Sequence, residues 1–331
     1  MKGVPLVQRF RATAWMLGLL VATVWWGSAR ATEVRPVPVR FGVDSFILGA
    51  QVHVAEARGL FARYGVAPEV QVFSYGVDTL DAVLAGRTDF GVGLDFPTLA
   101  RLVPGQLRIV SAIIEPEPGF HKVAVRSGIR SGADLAGKRL GIAPGTLQHY
   151  VSIRYLDVSG VPRSSVQFTP FSSLFEIVAS LRAGRIDAAW VWGDGVEQAK
   201  QIPGVIILTD DGAAQTRSVG YMVVSRKTVE EQPDTVVRVL KAMAEATDWM
   251  NANLEEASRI VARKVGAPQD RVLAEMRREN YTLSLRREHL ETLDRLAAFM
   301  MESGILKQRP PIEQYVVGGP LREVDPARVH L

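Results

Sequence analysis

A nine-residue phrase occurs twice in this chain and constrains what it can fold into. Residues 85–93 read Ala-Gly-Arg-Thr-Asp-Phe-Gly-Val-Gly, and residues 183–191 read Ala-Gly-Arg-Ile-Asp-Ala-Ala-Trp-Val. Each copy follows an apolar stretch at helical spacing: Leu80, Val83 and Leu84 before the first, Ile177, Val178 and Leu181 before the second. One local structure satisfies both. A helix ends at a glycine able to take positive φ (Gly86, Gly184), a polar turn follows, and a buried strand begins. The copies start 183 − 85 = 98 residues apart, so two α/β lobes of similar build are expected. In open α/β sheets ligands sit beyond the carboxyl ends of the strands. The segments after the two copies, Leu94-Asp95-Phe96-Pro97 and Trp192-Gly193-Asp194, are therefore expected to line a cleft.

The N-terminus has a different composition. Lys2, Arg9 and Arg11 precede an apolar run from Trp15 to Trp26, and Ala29-Arg30-Ala31 offers small residues for cleavage. This pattern predicts a secretory signal peptide over residues 1–31, since the run is short for a membrane span. The mature chain then begins near Thr32 in an exported compartment. The leader carries four basic residues and no acid, so the formal charge of +4 becomes 4 − 4 = 0 without it. No basic face for nucleic acid follows from that balance. The chain has no cysteine, which excludes disulfides, thiolate metal sites, cysteine nucleophiles and a lipid-modified N-terminal cysteine. A soluble protein that is not a lipoprotein is expected.

Beyond the leader the pattern alternates. Val37–Val43 reads as a first strand, Gly49–Tyr64 as a helix, and Glu69–Phe73 as a second strand. Leu107–Ile114 reads as a strand ending at Glu115, and Val123–Arg126 as a strand leaving the first lobe. Leu140–Ala143 and Val166–Thr169 are strands of the second lobe, with Gly145-Thr146 opening the helix between them. Val205–Leu208 and Tyr221–Val224 are expected to complete that lobe. From Thr228, which makes a capping box with Glu231, the pattern reads as wholly helical. Stripes such as Val236, Val239, Leu240 and Met243 suit a core face.

The ordered set of motifs resembles a known family. Ala55-Glu56-Ala57-Arg58-Gly59-Leu60-Phe61, Ser74-Tyr75-Gly76 and Asp89-Phe90-Gly91-Val92-Gly93 with Pro97 are similar to solute-binding proteins of ABC importers. Asp134-Leu135-Ala136-Gly137-Lys138-Arg139-Leu140-Gly141-Ile142, Gly145-Thr146-Leu147-Gln148-His149-Tyr150 and Ile186-Asp187-Ala188-Ala189-Trp190-Val191-Trp192 continue the likeness. The branch is the one that binds aliphatic sulfonates, taurine, nitrate or the pyrimidine precursor of thiamine. The resemblance implies a two-lobed α/β periplasmic binding protein of type II. Each lobe is a mixed sheet flanked by helices, two strands cross between lobes, and a helical C-terminal segment packs on the first. The expected division is 1–31 leader, 32–124 first lobe, 125–224 second lobe, and 225–331 completing the first.

The resemblance also implies ligand contacts. These are Ser45 and Phe46 after the first strand, Ser74, Tyr75 and Gly76 after the second, and Glu115 after the fourth. Asp95 and Phe96 follow the first copy, Thr146, Gln148 and His149 open the second-lobe helix, and Trp192 and Asp194 follow the second copy. Gly193 departs from the aromatic-acidic-proline run common in this branch. The implied partners are a small-molecule ligand and an inner-membrane permease with its ATPase; a monomer without a cofactor is expected.

The residues themselves leave the ligand open. The helix start at Thr146 offers free N–H groups and a positive dipole end for an anion, or is an ordinary cap. The aromatics Phe46, Tyr75, Phe96 and Trp192 suit a ring or alkyl chain. Asp44, Asp95, Glu115 and Asp194 at strand ends oppose a purely anionic ligand, and favour a zwitterion such as an aminosulfonate or an aminopyrimidine. No nucleophile elbow, phosphate loop or metal-ligand spacing is present, and the five histidines are scattered. A pyrimidine-synthase-like enzyme and a periplasmic sensor are the alternatives from other classes.

Overall fold

The computed structural model describes residues 36–331, so the expected leader lies outside the described residues. Among the described residues twelve strands form two sheets. The first contains β1 (Val37–Asp44), β2 (Val66–Phe73), β3 (Phe90–Leu94) and β4 (Leu107–Pro116). The second contains β5 (His121–Arg126), β6 (Arg139–Ile142), β7 (Gln167–Pro170), β8 (Ala188–Trp192) and β9 (Val205–Asp210). β10 (Gly220–Ser225), β11 (Glu279–Arg286) and β12 (Val329–His330) return to the first sheet.

The strand orders are β12-β11-β4-β10-β3-β1-β2 and β7-β6-β8-β5-β9. Both share one logic: three parallel strands in the order second, first, third, then an antiparallel strand arriving from the other lobe, then a fourth. The chain crosses between lobes twice, over residues 117–120 and 211–219. Two expectations change here. Tyr221–Val224 pairs with β3 and β4 in the first sheet rather than completing the second lobe, and Val123–Arg126 is built into the second sheet. A strand at a crossing carries the same local pattern whichever sheet it joins; long-range pairing decides.

The repeated phrase does more than turn the chain. In each copy its aspartate clamps an arginine on the first parallel strand of its lobe. Asp89 accepts from Arg40 N at 2.8 Å, Nε at 3.1 Å and Nη2 at 2.7 Å, and Arg40 Nη1 donates to Gly86 O at 2.9 Å. Asp187 accepts from Arg139 N at 2.9 Å, Nε at 3.0 Å and Nη2 at 2.7 Å, and Arg139 Nη2 donates to Gly184 O at 2.9 Å. The bidentate charge-assisted geometry fixes the helix–strand junction to the strand beside it. Gly86 and Gly184 have φ of 69° and 67°, a left-handed conformation that costs glycine nothing.

Other boundaries differ from the sequence pattern for local reasons. The expected helix Gly49–Tyr64 breaks at Gly59 (φ 67°) into Ala50–Ala57 and Leu60–Arg63. Ser225, not Thr228, caps the next helix, accepting from Thr228 N at 3.0 Å. The tail is not wholly helical: β11 inserts beside β4 with Tyr281, Leu283 and Leu285 buried. The 20-residue helix Pro233–Ala252 does lay Val236, Val239, Leu240 and Met243 fully into the core of the first lobe. Burying such side chains stabilises by about 1.5–3 kcal/mol each. Among the described residues no helix is long and apolar enough to cross a membrane.

Candidate functional site

In both lobes the parallel strands end on the same side, and helices begin where they end. A cavity of about 320 Å³ occupies the space between, with walls from both lobes. The starts of four helices border it: Gly76–Leu84 from the first lobe, and Leu147–Val158, Leu174–Arg182 and Asp194–Lys200 from the second. A helix start carries N–H groups with no intrahelical partner and the positive end of a dipole; at Leu174–Arg182 the Ser173 hydroxyl takes the N–H of Glu176. Among the described residues that line the cavity none is lysine or arginine. The helix starts are its positive dipole ends, set against the carboxylates of Asp44 and Asp194.

Of the expected contacts, Ser45, Phe46, Ser74, Tyr75 and Gly76 line the cavity from the first lobe, and Thr146, Gln148, Trp192 and Asp194 from the second. Their chemistry is uneven. Ser45 Oγ donates to Ser74 O at 3.3 Å, tying two loops at the rim. Thr146 donates to Ala143 O at 2.8 Å, closing the turn into its helix. Gln148, 1% exposed, spends its amide on backbone: Oε1 accepts from Ala143 N at 2.8 Å, and Nε2 donates to Gly141 O and Trp190 O at 3.0 and 3.2 Å. It braces β6 against β8 and has no amide atom left for a ligand. Asp194 is ion-paired to Arg271 of the first lobe and accepts from Gln198 Nε2 at 2.7 Å. That pair joins the lobes at the rim.

The aromatics meet across the cleft. Tyr75 and Trp192 lie 5.9 Å apart by ring centroid, one from each lobe. Gly193 lies under the Phe46 ring, and a Cβ there would come within 2.5 Å of Phe46 Cζ. With φ 51° and ψ −133° this backbone also belongs to glycine. The departure from the aromatic-acidic-proline run therefore has a steric reason: the glycine makes room for a ring from the opposite lobe.

Four expected contacts do not line the cavity. Asp95, 2% exposed, accepts from Ser218 Oγ at 2.8 Å, Phe96 N at 2.8 Å and Val219 N at 3.3 Å, fastening the return crossing to the first lobe. Burial pushes its carboxyl up to about 6. Phe96 stacks on Tyr150 at 5.2 Å, an interlobe contact away from the cavity. Glu115 is held by His289 and Arg286, which lower its pKa. His149 turns back, its Nδ1 facing Gly145 N at 3.4 Å, and burial lowers its pKa. Strand-end position placed these residues near the cleft, and tertiary partners turned them away.

The structure adds residues that the pattern did not single out as contacts. Asp44 enters the wall at the end of β1, accepting from Gly49 N at 3.0 Å, and burial pushes its carboxyl up to about 6. Phe120 and His121 arrive from the first crossing, and Ser173, Leu174 and Phe175 from the helix start before the second copy. The turn Val265–Pro268 closes one side from the C-terminal helices. Phe120 and His121 had a readable signal, because a strand leaving one lobe for the other must pass the cleft. The turn at 265–268 had none.

Two lobes of like topology, two crossings and a ligand-sized cavity between them define the periplasmic-binding-protein fold. The chain belongs to the NMT1/THI5-like family, whose model matches residues 49–257. A Brucella abortus relative, provisionally described as a binding protein, is 27% identical over 232 residues, covering 69% of this chain and 71% of its own. An Escherichia coli relative, provisionally described as an aliphatic sulfonates-binding protein, is 24% identical over 259 residues, 76% of this chain and 78% of its own. The alkanesulfonate-binding protein SsuA of Xanthomonas axonopodis pv. citri, solved bound to MOPS, superposes with a TM-score of 0.74 at 21% identity, covering 86% of this chain and 99% of that one. The desulfurization enzyme DSZB shares the fold with a TM-score of 0.63 at 18% identity, over 87% and 98% of the two chains.

Proposed function

We propose that this protein is the solute-binding component of an ABC importer, and that its solute is an organic anion of the sulfonate class. The solute is captured between the lobes and handed to a membrane permease. One observation carries this: helix N-termini from both lobes converge on a cavity whose remaining wall is mostly apolar and aromatic. Such a wall suits a body of carbon, and converging N–H groups suit an anionic head. The curated relatives are described as binding proteins, one of them for aliphatic sulfonates.

Binding rather than conversion fits the lining. The Ser45 hydroxyl bonds to a carbonyl and the Ser173 hydroxyl to the N–H of Glu176, so neither is hydrogen-bonded to a basic side chain that would activate it. Export to the periplasm follows from the leader pattern, and N-terminal sequencing of the exported protein tests it: a chain starting near Thr32 supports export, an intact Met1 opposes it.

The decisive measurement is a melting curve of the purified chain with alkanesulfonates of increasing chain length, with taurine, and with nitrate, in phosphate buffer. A ligand at 100 times its Kd adds about 2.7 kcal/mol of stability. Alkanesulfonates are expected to raise the melting temperature more as the chain lengthens, and nitrate least. The reading fails if no sulfonate shifts the melt.

A further inference from the structure

The cavity has no lysine or arginine among its described lining residues, but it has an imidazole, that of His121. His121 opens β5 at the first crossing, sits opposite Trp192 of β8, and is 2% exposed. It nevertheless lines the cavity. Its Nδ1 lies 3.3 Å from an oxygen of Asp211, which belongs to the second crossing. The same carboxylate accepts the His121 backbone N–H at 2.9 Å and that of Gly119. Asp211 thereby fixes the ring: Nδ1 carries a proton toward the carboxylate, and Nε2 is left over. Nε2 has no protein partner, and it is not among the unpartnered atoms sealed from solvent. Trp192 at 5.5 Å and Phe120 at 4.8 Å flank the ring with their own rings. The open direction is the cavity.

We propose that His121 reads the anionic head of the solute, binding it as an imidazolium oriented by Asp211, so that capture takes up one proton from solvent. This rests on the reading of the protein as a binder of organic anions. A neutral ring would turn the Nε2 lone pair toward the anion. The doubly protonated ring donates one N–H to Asp211 and the other to the ligand, both charge-assisted. The ring stands on one crossing and its carboxylate on the other, so the solute's charge is coupled to both segments that join the lobes.

The surrounding charges divide into two groups. Behind the ring, Asp211 lies in the field of Glu279, whose other charged neighbours are Glu275, Glu117 and Arg278. Beside it, Lys122 pairs with Asp210 at 3.3 Å. Asp44 and Asp194 also line the cavity, the latter paired with Arg271. Asp44 is the rival proton acceptor, because an incoming anion would also favour its neutral form.

Titration calorimetry of the whole chain with an alkanesulfonate, in two buffers of different protonation enthalpy and neither a sulfonate, counts the protons without a variant. Net proton uptake on binding is expected, with Kd rising as pH rises. Both effects vanish in His121→Gln, which keeps a donor and loses the titration. Binding without proton uptake in the unaltered protein overturns the proposal and leaves the anion reading standing. Uptake that persists in a folded His121→Gln also overturns it and assigns the proton elsewhere. If His121→Gln fails to fold, Asp44→Asn decides: uptake that survives supports His121, and uptake that disappears refutes it. If no sulfonate binds at any pH, the anion reading falls and takes this proposal with it.

Discussion

Truncating Trp192 to alanine is expected to cost affinity, and truncating Trp190 to cost stability, although they lie two residues apart on one strand. Trp190 is 0% exposed, with its indole edge-on to Tyr155 at 5.3 Å. Losing a buried tryptophan costs about 3–5 kcal/mol. The Trp190 Nε1 already lacks a partner, so no hydrogen bond is lost, and the lower half of that range applies. At about 2 °C per kcal/mol for a chain of this size, the melt should fall by roughly 6–8 °C. Trp192 is half-buried, lines the cavity, and touches Tyr75 and His121 at 5.9 and 5.5 Å. Removing it strips an aromatic wall from the solute, on the order of 1–2 kcal/mol, or about 5- to 30-fold in Kd. Melting curves without ligand and calorimetry with an alkanesulfonate measure both quantities on both variants. The reasoning fails if Trp192→Ala lowers the melt as far as Trp190→Ala while Kd is unchanged.

Gly193→Ala places a methyl 2.5 Å from Phe46 Cζ on a backbone only glycine favours, so affinity should fall at least about tenfold. Adding Phe46→Leu should recover part of the loss, and an identical Kd in single and double variants would show that the ring is not the obstacle. His53 is buried with neither ring nitrogen hydrogen-bonded, and burial pushes its pKa from 6.5 down to about 4. The unfolded chain then binds a proton that the native protein refuses between pH 6.5 and about 4, so stability falls as pH drops through that window. The 2.5-unit gap is worth about 3 kcal/mol by its lower end. His53→Leu should flatten this slope in urea midpoints, and an unchanged slope would assign the acid sensitivity to other groups.

The repeated phrase was legible because helix, glycine, turn and strand are local, and each copy carries all four within a few residues. The cleft's position followed from strand ends and helix starts, which is why Tyr75, Thr146 and Trp192 line it. Side-chain direction did not follow. Asp95 and Glu115 stand at strand ends, but the first is turned by Ser218, 123 residues away, and the second by Arg286, 171 residues away. Sheet membership was equally nonlocal. Tyr221–Val224 would alternate in the same way in either sheet, and β11 hid between two helical stripes although Tyr281, Leu283 and Leu285 alternate in plain view. His121 was passed over because its partner Asp211 belongs to the other crossing, 90 residues on.

The shared strand order of the two sheets makes each half of the molecule a control for the other. With Asp89 set against Asp187, Arg40-Phe41-Gly42-Val43 runs beside the first and Arg139-Leu140-Gly141-Ile142 beside the second. Where matched positions carry the same residue, as with the two arginines, the two aspartates and the glycines at 86 and 184, that residue serves its own lobe. Beyond the strand ends the matched positions part, and there they face the space between the lobes. Leu94 matches Trp192, and both line the cavity. Asp95 matches Gly193, one fastening a crossing and the other admitting a ring. Exchanging matched pairs, Leu94→Trp with Trp192→Leu, would move the aromatic wall from one lobe to the other while leaving both arginine clamps in place.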